Sequence, residues 1–360
     1  MATIIFADDT NRYDGRTRET RPLGGTESSV CFLTEALAAR GHEVIACTNC
    51  EAPIAHNGVT WIPLTGPKPR DADIYVPVQH PRLFGLIENP RRRFVWLCWR
   101  PNNLRHYKNI GRMWWYRPFP IFISEHQAAI YPRIVPQPAR KTVIPLGLPD
   151  HVRGQNALPE PPPPRAIFAS NPARGLDWLI RLWAREIHPR VPEAELHVYG
   201  IRDYSYSYGG TWAAPADAAL QAVLAEVPER ARRTIVFNRP VPPQELAQAM
   251  RSSRAMLYGG HKSEMFCLAL AEAQALGVPA VIRPIAVLPE RVADETTGFI
   301  RHSDADFADA AIRLLTDDRL WRRQHEAALA TRQGLSWAEV AERFEQAFGL
   351  APARAADALV

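Results

Sequence analysis

Glu264 and Glu272 stand eight positions apart in the stretch SEMFCLALAEAQALGVP, residues 263–279, which is otherwise mostly apolar. An ionised carboxylate only accepts hydrogen bonds, and its two oxygens can take both hydroxyls of a vicinal diol. The apolar residues between the acids predict a helix from near Phe266 to just before Gly277, with Pro279 as a stop signal. Glu264 then lies just ahead of the helix, in the loop with Lys262 and Met265, and Glu272 lies inside it. Free N–H groups on Phe266, Cys267 and Leu268 would bind phosphate, aided by the helix dipole. One phosphate site flanked by two diol-binding carboxylates fits a nucleotide sugar, with hexose at one end and ribose at the other. Taken alone, the spacing favours a loop acid followed by an ordinary exposed helix acid, since such acids are common.

The surrounding elements must position these groups. Thr3–Ala7 reads as a strand, Asp8–Leu23 as a polar loop, and Gly24-Gly25 as a turn that brings backbone close to a ligand without a Cβ. Helical spacing then runs through Val30, Leu33 and Leu37 to Gly41, and Glu43–Cys47 is the next strand, which completes a βαβ unit. Further strands are expected at Ile74–Val78, Phe94–Cys98, Ile121–Ser124 and Thr142–Ile144, so residues 1–150 read as one open parallel sheet. Residues 151–165 end in a proline run that excludes helix and read as a linker. A second alternation fills 166–335: strands at 166–169, Glu195–Tyr199, Thr234–Phe237, Ala255–Tyr258 and Pro279–Arg283, with helices between. Residues 336–360 form a C-terminal helix and tail. Two doubly wound α/β domains would leave a cleft between the carboxyl ends of their sheets.

Several segments together resemble the retaining glycosyltransferases of family 4. Beyond Glu264-x7-Glu272, the likeness includes Gly24-Gly25-Thr26-Glu27, Gly41-His42-Glu43-Val44, Phe122-Ile123-Ser124-Glu125 and Ile144-Pro145-Leu146-Gly147. It continues through 169–176, Thr297-Gly298-Phe299 and Leu335-Ser336-Trp337, in order over about residues 3–350. The resemblance implies a GT-B fold: two Rossmann-like domains facing across a cleft, with the C-terminal helix crossing back to the first. It implies that Glu264 meets the donor hexose, Glu272 the ribose, and Arg174 the leaving diphosphate. It places the base near Gly200, Arg239 and Val241. It implies transfer with retention, the departing phosphate taking the acceptor's proton, and neither metal nor other cofactor.

Two departures stand out. Asn171 occupies a position that is usually a second Arg in the family, and Lys262 and Arg202 are candidates to supply that charge. Trp99-Arg100-Pro101 stands where many members carry a His, leaving His80, Arg100 and His106 as candidate acceptor-side groups.

Charge narrows the partners. The chain of 360 residues carries a net +5, with +6 in 1–150 and −1 in 151–360. Within 82–117 nine basic residues face one acid, Glu88, among Trp96, Trp99, Tyr107, Trp114, Trp115 and Tyr116. This patch suits an anionic membrane surface, and equally a solvated basic face beside buried tryptophans. No apolar run reaches the roughly 20 residues of a membrane span. The start lacks a signal-peptide pattern, so a cytoplasmic protein, peripheral to the membrane at most, is expected. The five cysteines form no disulfide framework, and Cys47-x2-Cys50 lacks further metal ligands. The expected activity is transfer of a hexose from a UDP- or GDP-sugar to a sugar or lipid-linked acceptor in cell-envelope polysaccharide or lipopolysaccharide synthesis. A sugar-nucleotide epimerase of the same fold would turn over the donor alone. A non-catalytic binder of anionic ligands, nucleic acid included, would show strongly salt-dependent binding.

Overall fold

A computed structural model of the chain describes residues 1–20, 23–200, 213–239 and 241–350. It divides into two compact units, Met1–Gly147 with the segment from Leu335 onward, and Leu148–Gly334.

The first unit holds β1 (Thr3–Ala7), β2 (Glu43–Thr48), β3 (Ile54–His56), β4 (Val59–Pro63), β5 (Asp71–Pro77), β6 (Asn89–Leu97), β7 (Phe119–Phe122) and β8 (Thr142–Val143). They form one sheet in the order β3-β4-β2-β1-β5-β6-β7-β8, parallel except for the β3–β4 hairpin. Near-continuous apolar strands such as Ile4-Ile5-Phe6-Ala7 are what a parallel sheet covered on both faces demands, and all four residues are buried. The chain leaves β1 toward β2 and returns to β5 on the other side, so the sheet order reverses between β1 and β5. The hairpin is absent from the sequence expectations. Its Asn57-Gly58 turn, with φ of 47° and 77°, is the pair that a two-residue hairpin with both central φ positive selects.

The C-terminal helix Trp337–Phe348 belongs to this unit, as expected. Ser336 and Glu339 form a reciprocal capping box at its start, and Trp337 stacks on Phe32. Gly147 lies so close under Trp337 that a Cβ there would meet the indole at 2.7 Å. Phe344 and Phe348 pack on Trp96 and Phe94. Glu345, 1% exposed, accepts from Arg40 Nε and Nη2 at 2.7 Å and bonds His42 Nε2 at 2.9 Å. Burial pushes its carboxyl upward, but the bonds from Arg40 and His42 outweigh burial and hold it below the usual range. A depressed carboxylate contributes stability above its unfolded pKa and loses it as pH falls through the folded value. Glu345→Ala should therefore cost about 2 kcal/mol at neutral pH by chemical denaturation, and the difference from wild type should shrink below about pH 4.

The second unit holds β9 (Arg165–Phe168), β10 (Glu195–Val198), β11 (Ile235–Phe237), β12 (Ala255–Tyr258), β13 (Ala280–Ile282) and β14 (Gly298–Ile300). All are parallel, in the order β11-β10-β9-β12-β13-β14. This is the doubly wound 3-2-1-4-5-6 arrangement, with its switch point between β9 and β12. Gly298 and Phe299 of the Thr297-Gly298-Phe299 segment enter this sheet in the edge strand β14. The proline-rich segment is tied to the same unit. Arg254 Nε donates to Pro162 O at 2.6 Å, and Leu158 N donates to His325 Nε2 at 2.9 Å.

Candidate functional site

In the second unit, the loops leaving the carboxyl ends of β9 and β12 flank the switch point, where open α/β sheets bind ligands. Arg174 lies in the first loop and Glu264 in the second. Arg174 Nη1 donates to Glu264 Oε1 at 2.7 Å, and Glu264 is 4% exposed. Tyr258, the last residue of β12, donates its hydroxyl to the same oxygen. That proton is thereby used, so Ser170 Oγ donates to the Tyr258 oxygen at 3.2 Å. Glu264 is thus fixed from both loops, and it fixes the guanidinium in turn. Ser170 and Tyr258 were not singled out from the sequence, because a hydroxyl in a loop and a tyrosine ending a strand carry no spacing signal.

Asn171 shapes the first loop. Its Oδ1 accepts from Ala173 N at 2.9 Å, and its carbonyl accepts from Arg174 N at 2.9 Å. Its side-chain oxygen therefore holds the turn that presents Arg174. Gly175 follows at φ 95°, a left-handed conformation that favours glycine, and opens the helix Leu176–Leu182.

The helix after Glu264 begins later than its apolar pattern suggests. It spans Leu268–Ala275, and Cys267 ahead of it is left-handed at φ 64°. The donors at its tip are therefore the N–H groups of Leu268, Ala269 and Leu270, rather than those of Phe266, Cys267 and Leu268. Met265, Phe266 and Cys267 are buried, and the Arg291 guanidinium lies 4.4 Å from the centre of the Phe266 ring. These three side chains anchor the loop from within. A non-glycine residue held left-handed at a helix start is strained, and burial of its neighbours is what holds it.

Glu272 lies within the helix and is half-buried. Burial alone pushes its carboxyl up to about 7. Among the described residues no basic group pairs with it. Of the other positions expected at the base, Gly200 follows β10 and packs so closely that a Cβ would lie 2.9 Å from Pro172. Arg239 and Val241 follow β11; Arg239 is exposed and Val241 half-buried. All stand at the carboxyl edge of this sheet. Lys262 is exposed in the Glu264 loop. Arg202 lies outside the described residues.

Gly24, Gly25, His80, Arg100 and His106 belong to the first unit. Gly25 opens the helix Gly25–Ala39 with Gly24 as its cap. A Cβ on Gly24 would lie 2.4 Å from Glu27 Oε2, so this glycine makes room for a buried acid. His80 sits past β5, at the first unit's switch point. Its Nδ1 bonds Asp9, which also accepts from Arg82. With Nδ1 so used, Nε2 is the ring nitrogen left to meet a ligand. Burial pushes Asp9 upward, but His80 and Arg82 hold it below the usual range. Beside it Asp8 is buried, accepts from Tyr13 and Thr10, and is pushed up to about 6 by burial. The ring of His80 meets that of Trp99 edge-on, centroids 5.5 Å apart. His106 is exposed beside Tyr107, away from this group.

The basic aromatic patch is narrower than the sequence suggests. Trp96 is fully buried, and Trp99 donates to Thr26 at 2.8 Å. Tyr107, Trp114, Trp115, Phe119 and Ile134 are 50–82% exposed and, apart from Met1, are the exposed large hydrophobics among the described residues. No helix there is long and apolar enough to cross a membrane.

Comparison with known proteins bears on the fold and on part of the sequence. A family model described as "Glycosyl transferases group 1" matches residues 163–317. A D-inositol 3-phosphate glycosyltransferase of Corynebacterium aurimucosum is 37% identical over 118 residues, 32% of this chain and 28% of that protein. The match thus spans little more than a quarter of the relative. The solved sucrose-phosphate synthase of Thermosynechococcus elongatus superposes with a TM-score of 0.73 at 16% identity, covering 97% of this chain and 98% of that one. Anabaena HepE in complex with UDP-glucose gives 0.69 at 12% identity, covering 97% and 100%. The chain has the α/β GT-B fold, and residues 163–317 match the model of the group 1 glycosyl transferases.

Proposed function

We propose that the protein is a retaining glycosyltransferase of family 4 that moves a hexose from a nucleotide sugar to a sugar or lipid-linked acceptor. The observation that carries this reading is the Arg174–Glu264 ion pair across the β9/β12 switch point, just ahead of the tip of the helix Leu268–Ala275. The donor diphosphate would rest on the N–H groups of the helix tip and on Arg174, the hexose on Glu264, and the ribose diol on Glu272. In the reaction the acceptor oxygen bonds to the anomeric carbon as the bond from that carbon to the diphosphate oxygen breaks. The acceptor proton passes to the departing phosphate, so no side-chain nucleophile takes part. Arg174 matters most in the transition state, where negative charge grows on the leaving oxygen. His80, held by Asp9, is the first unit's candidate for binding the acceptor hydroxyl.

A thermal-shift panel of UDP-, GDP- and ADP-sugars tests the donor, since binding raises stability by RT ln(1 + [L]/Kd). One donor should stand out, and proton NMR of its product should show the anomeric configuration kept. Inversion, or no shift with any nucleotide sugar, would contradict the reading.

The exposed aromatic cluster favours a second element: contact with an anionic membrane surface during cell-envelope synthesis. Trp and Tyr settle at the headgroup level while Lys108, Arg112 and Arg117 meet the lipid charge. The protein should co-sediment with vesicles containing phosphatidylglycerol, and a Trp114→Ser/Trp115→Ser variant should lose most of that binding. Equal recovery with purely neutral vesicles would remove the idea.

A further inference from the structure

Trp99 spends all its polar groups inside the first unit. Its backbone N–H donates to Gln79 Oε1 at 2.9 Å, its carbonyl accepts from Gln127 Nε2 at 2.9 Å, and its indole Nε1 donates to Thr26 Oγ1 at 2.8 Å. Both glutamines are buried. Gln127 Oε1 accepts from Ile123 N at 2.9 Å, and Gln79 Nε2 donates to Asn103 Oδ1 at 3.2 Å. A buried amide with donor and acceptor both used fixes what it holds. The residue is nevertheless only half-buried. With its N–H already bonded, what the indole offers outward is aromatic carbon.

The same network reaches His80. Gln79 immediately precedes it and is left-handed, with φ of 58°, which a non-glycine residue seldom adopts. Strain of this kind collects where a neighbouring side chain has to be aimed. The His80 and Trp99 rings meet at 78°, and among the described residues this is the one ring contact that Trp99 makes. Asp9, His80 and Trp99 lie just past the carboxyl ends of β1, β5 and β6, three neighbouring strands of the sheet. An aromatic surface therefore stands at the switch point beside an imidazole nitrogen, the Asp9 carboxylate and the Arg82 guanidinium. A pyranose matches this mixture. One face of the ring presents C–H groups that gain by leaving water for an aromatic surface, and its rim presents hydroxyls that both donate and accept.

We propose that Trp99 is the platform for the acceptor's sugar ring, with the C–H face of a pyranose on the indole and one of its hydroxyls at His80 Nε2. The proposal rests on the glycosyltransferase reading for the word acceptor, and on the first unit alone for binding of the ring. It makes Trp99 a specificity-determining residue. A closed six-membered ring has a flat C–H face to lay on the indole, whereas an open-chain polyol with the same hydroxyls has none. The acceptor's reacting group is then a pyranose, whether free or carried on a lipid.

The test is saturation-transfer NMR on the full chain without donor. The probes are the methyl pyranosides of glucose, galactose, mannose and N-acetylglucosamine, with mannitol as the open-chain polyol. At least one pyranoside should take up saturation, strongest on the protons of one ring face, and mannitol should take up none. Trp99→Leu keeps apolar bulk without a flat ring and should weaken that pyranoside about tenfold. Trp99→Phe restores a ring face without the bond to Thr26 and should recover most of the affinity. A tryptophan held only for its bond to Thr26 would instead make the two variants equal. Both variants should keep the wild-type thermal shift with the nucleotide sugar chosen by the panel, which shows an intact fold. The wild-type pattern is read without any variant, so a misfolded Trp99→Leu protein does not remove the test. No saturation of any pyranoside, equal uptake by mannitol, or equal affinity of Trp99→Leu and wild type would overturn the platform. Failure of every nucleotide sugar to bind would sink the donor reading instead, and leaves the ring measurement standing by itself.

Discussion

Replacing Arg174 with Ala should lower turnover by a factor on the order of 10²–10³, the usual cost of one strong donor removed from a developing oxyanion. The Arg174 guanidinium is held at 2.7 Å from Glu264 before any ligand arrives, so little reorganisation is needed when charge appears on the leaving phosphate. An interaction that strengthens toward the transition state should depress kcat more than it raises KM. Arg174→Ala also leaves Glu264, 4% exposed, with only the Tyr258 hydroxyl, so some loss of stability accompanies it. Arg174→Lys separates the two effects. It restores positive charge but not the planar fork, and should recover stability more fully than turnover. An Arg174→Ala enzyme with wild-type kcat would contradict the charge-neutralising role.

Glu272 should behave in the opposite sense for stability. Its carboxyl is raised from 4.5 to about 7 by burial alone, so ionising it in the folded protein is unfavourable. For a raised carboxyl the penalty is absent below the unfolded pKa, grows as pH rises from about 4.5, and is complete above about 7. Glu272→Gln should therefore stabilise the protein at pH 8 by about 1–3 kcal/mol and leave stability unchanged near pH 4. The same substitution should weaken donor binding about tenfold, and Glu272→Ala up to about 100-fold, because a ribose diol donates to the ionised carboxylate. Wild-type donor affinity should also fall as pH drops below 7, by up to about tenfold per unit, and this dependence should vanish in Glu272→Gln. Gain of stability with loss of affinity is the mark of a group retained for its ligand. A Glu272→Gln protein with unchanged affinity would remove it from the site.

Much of this was legible in the residues. The strand–helix alternation is written in apolar runs and glycine breaks, and β1, β2, β5–β7 and β9–β13 fall where those runs lie. Arg174, Glu264 and Glu272 are joined in the sequence only by the family resemblance, because the spacing of the two acids alone fits ordinary loop and helix acids and Arg174 lies far from them along the chain. The helix start was not legible. Apolar periodicity runs continuously through Met265, Phe266 and Cys267, which are buried in a loop as they would be in a helix, so burial pattern alone cannot mark the left-handed break at Cys267. Edge elements were lost for a related reason. β3 contains no buried residue and β14 opens on a glycine, so neither shows the apolar run that marks the equally short β11 and β13; the Asn57-Gly58 turn carries the hairpin's signal. Asp8 lies in the stretch read as a polar loop, and only the fold shows it buried directly after β1.

The most direct measurement is a crystal structure of the protein soaked with the nucleotide sugar selected by the thermal-shift panel. The account predicts the diphosphate on the N–H groups of Leu268 and Ala269 and on the Arg174 guanidinium, with the hexose against Glu264 and the ribose diol on Glu272. A diphosphate bound elsewhere in the second unit, with Arg174 still closed on Glu264, would contradict it.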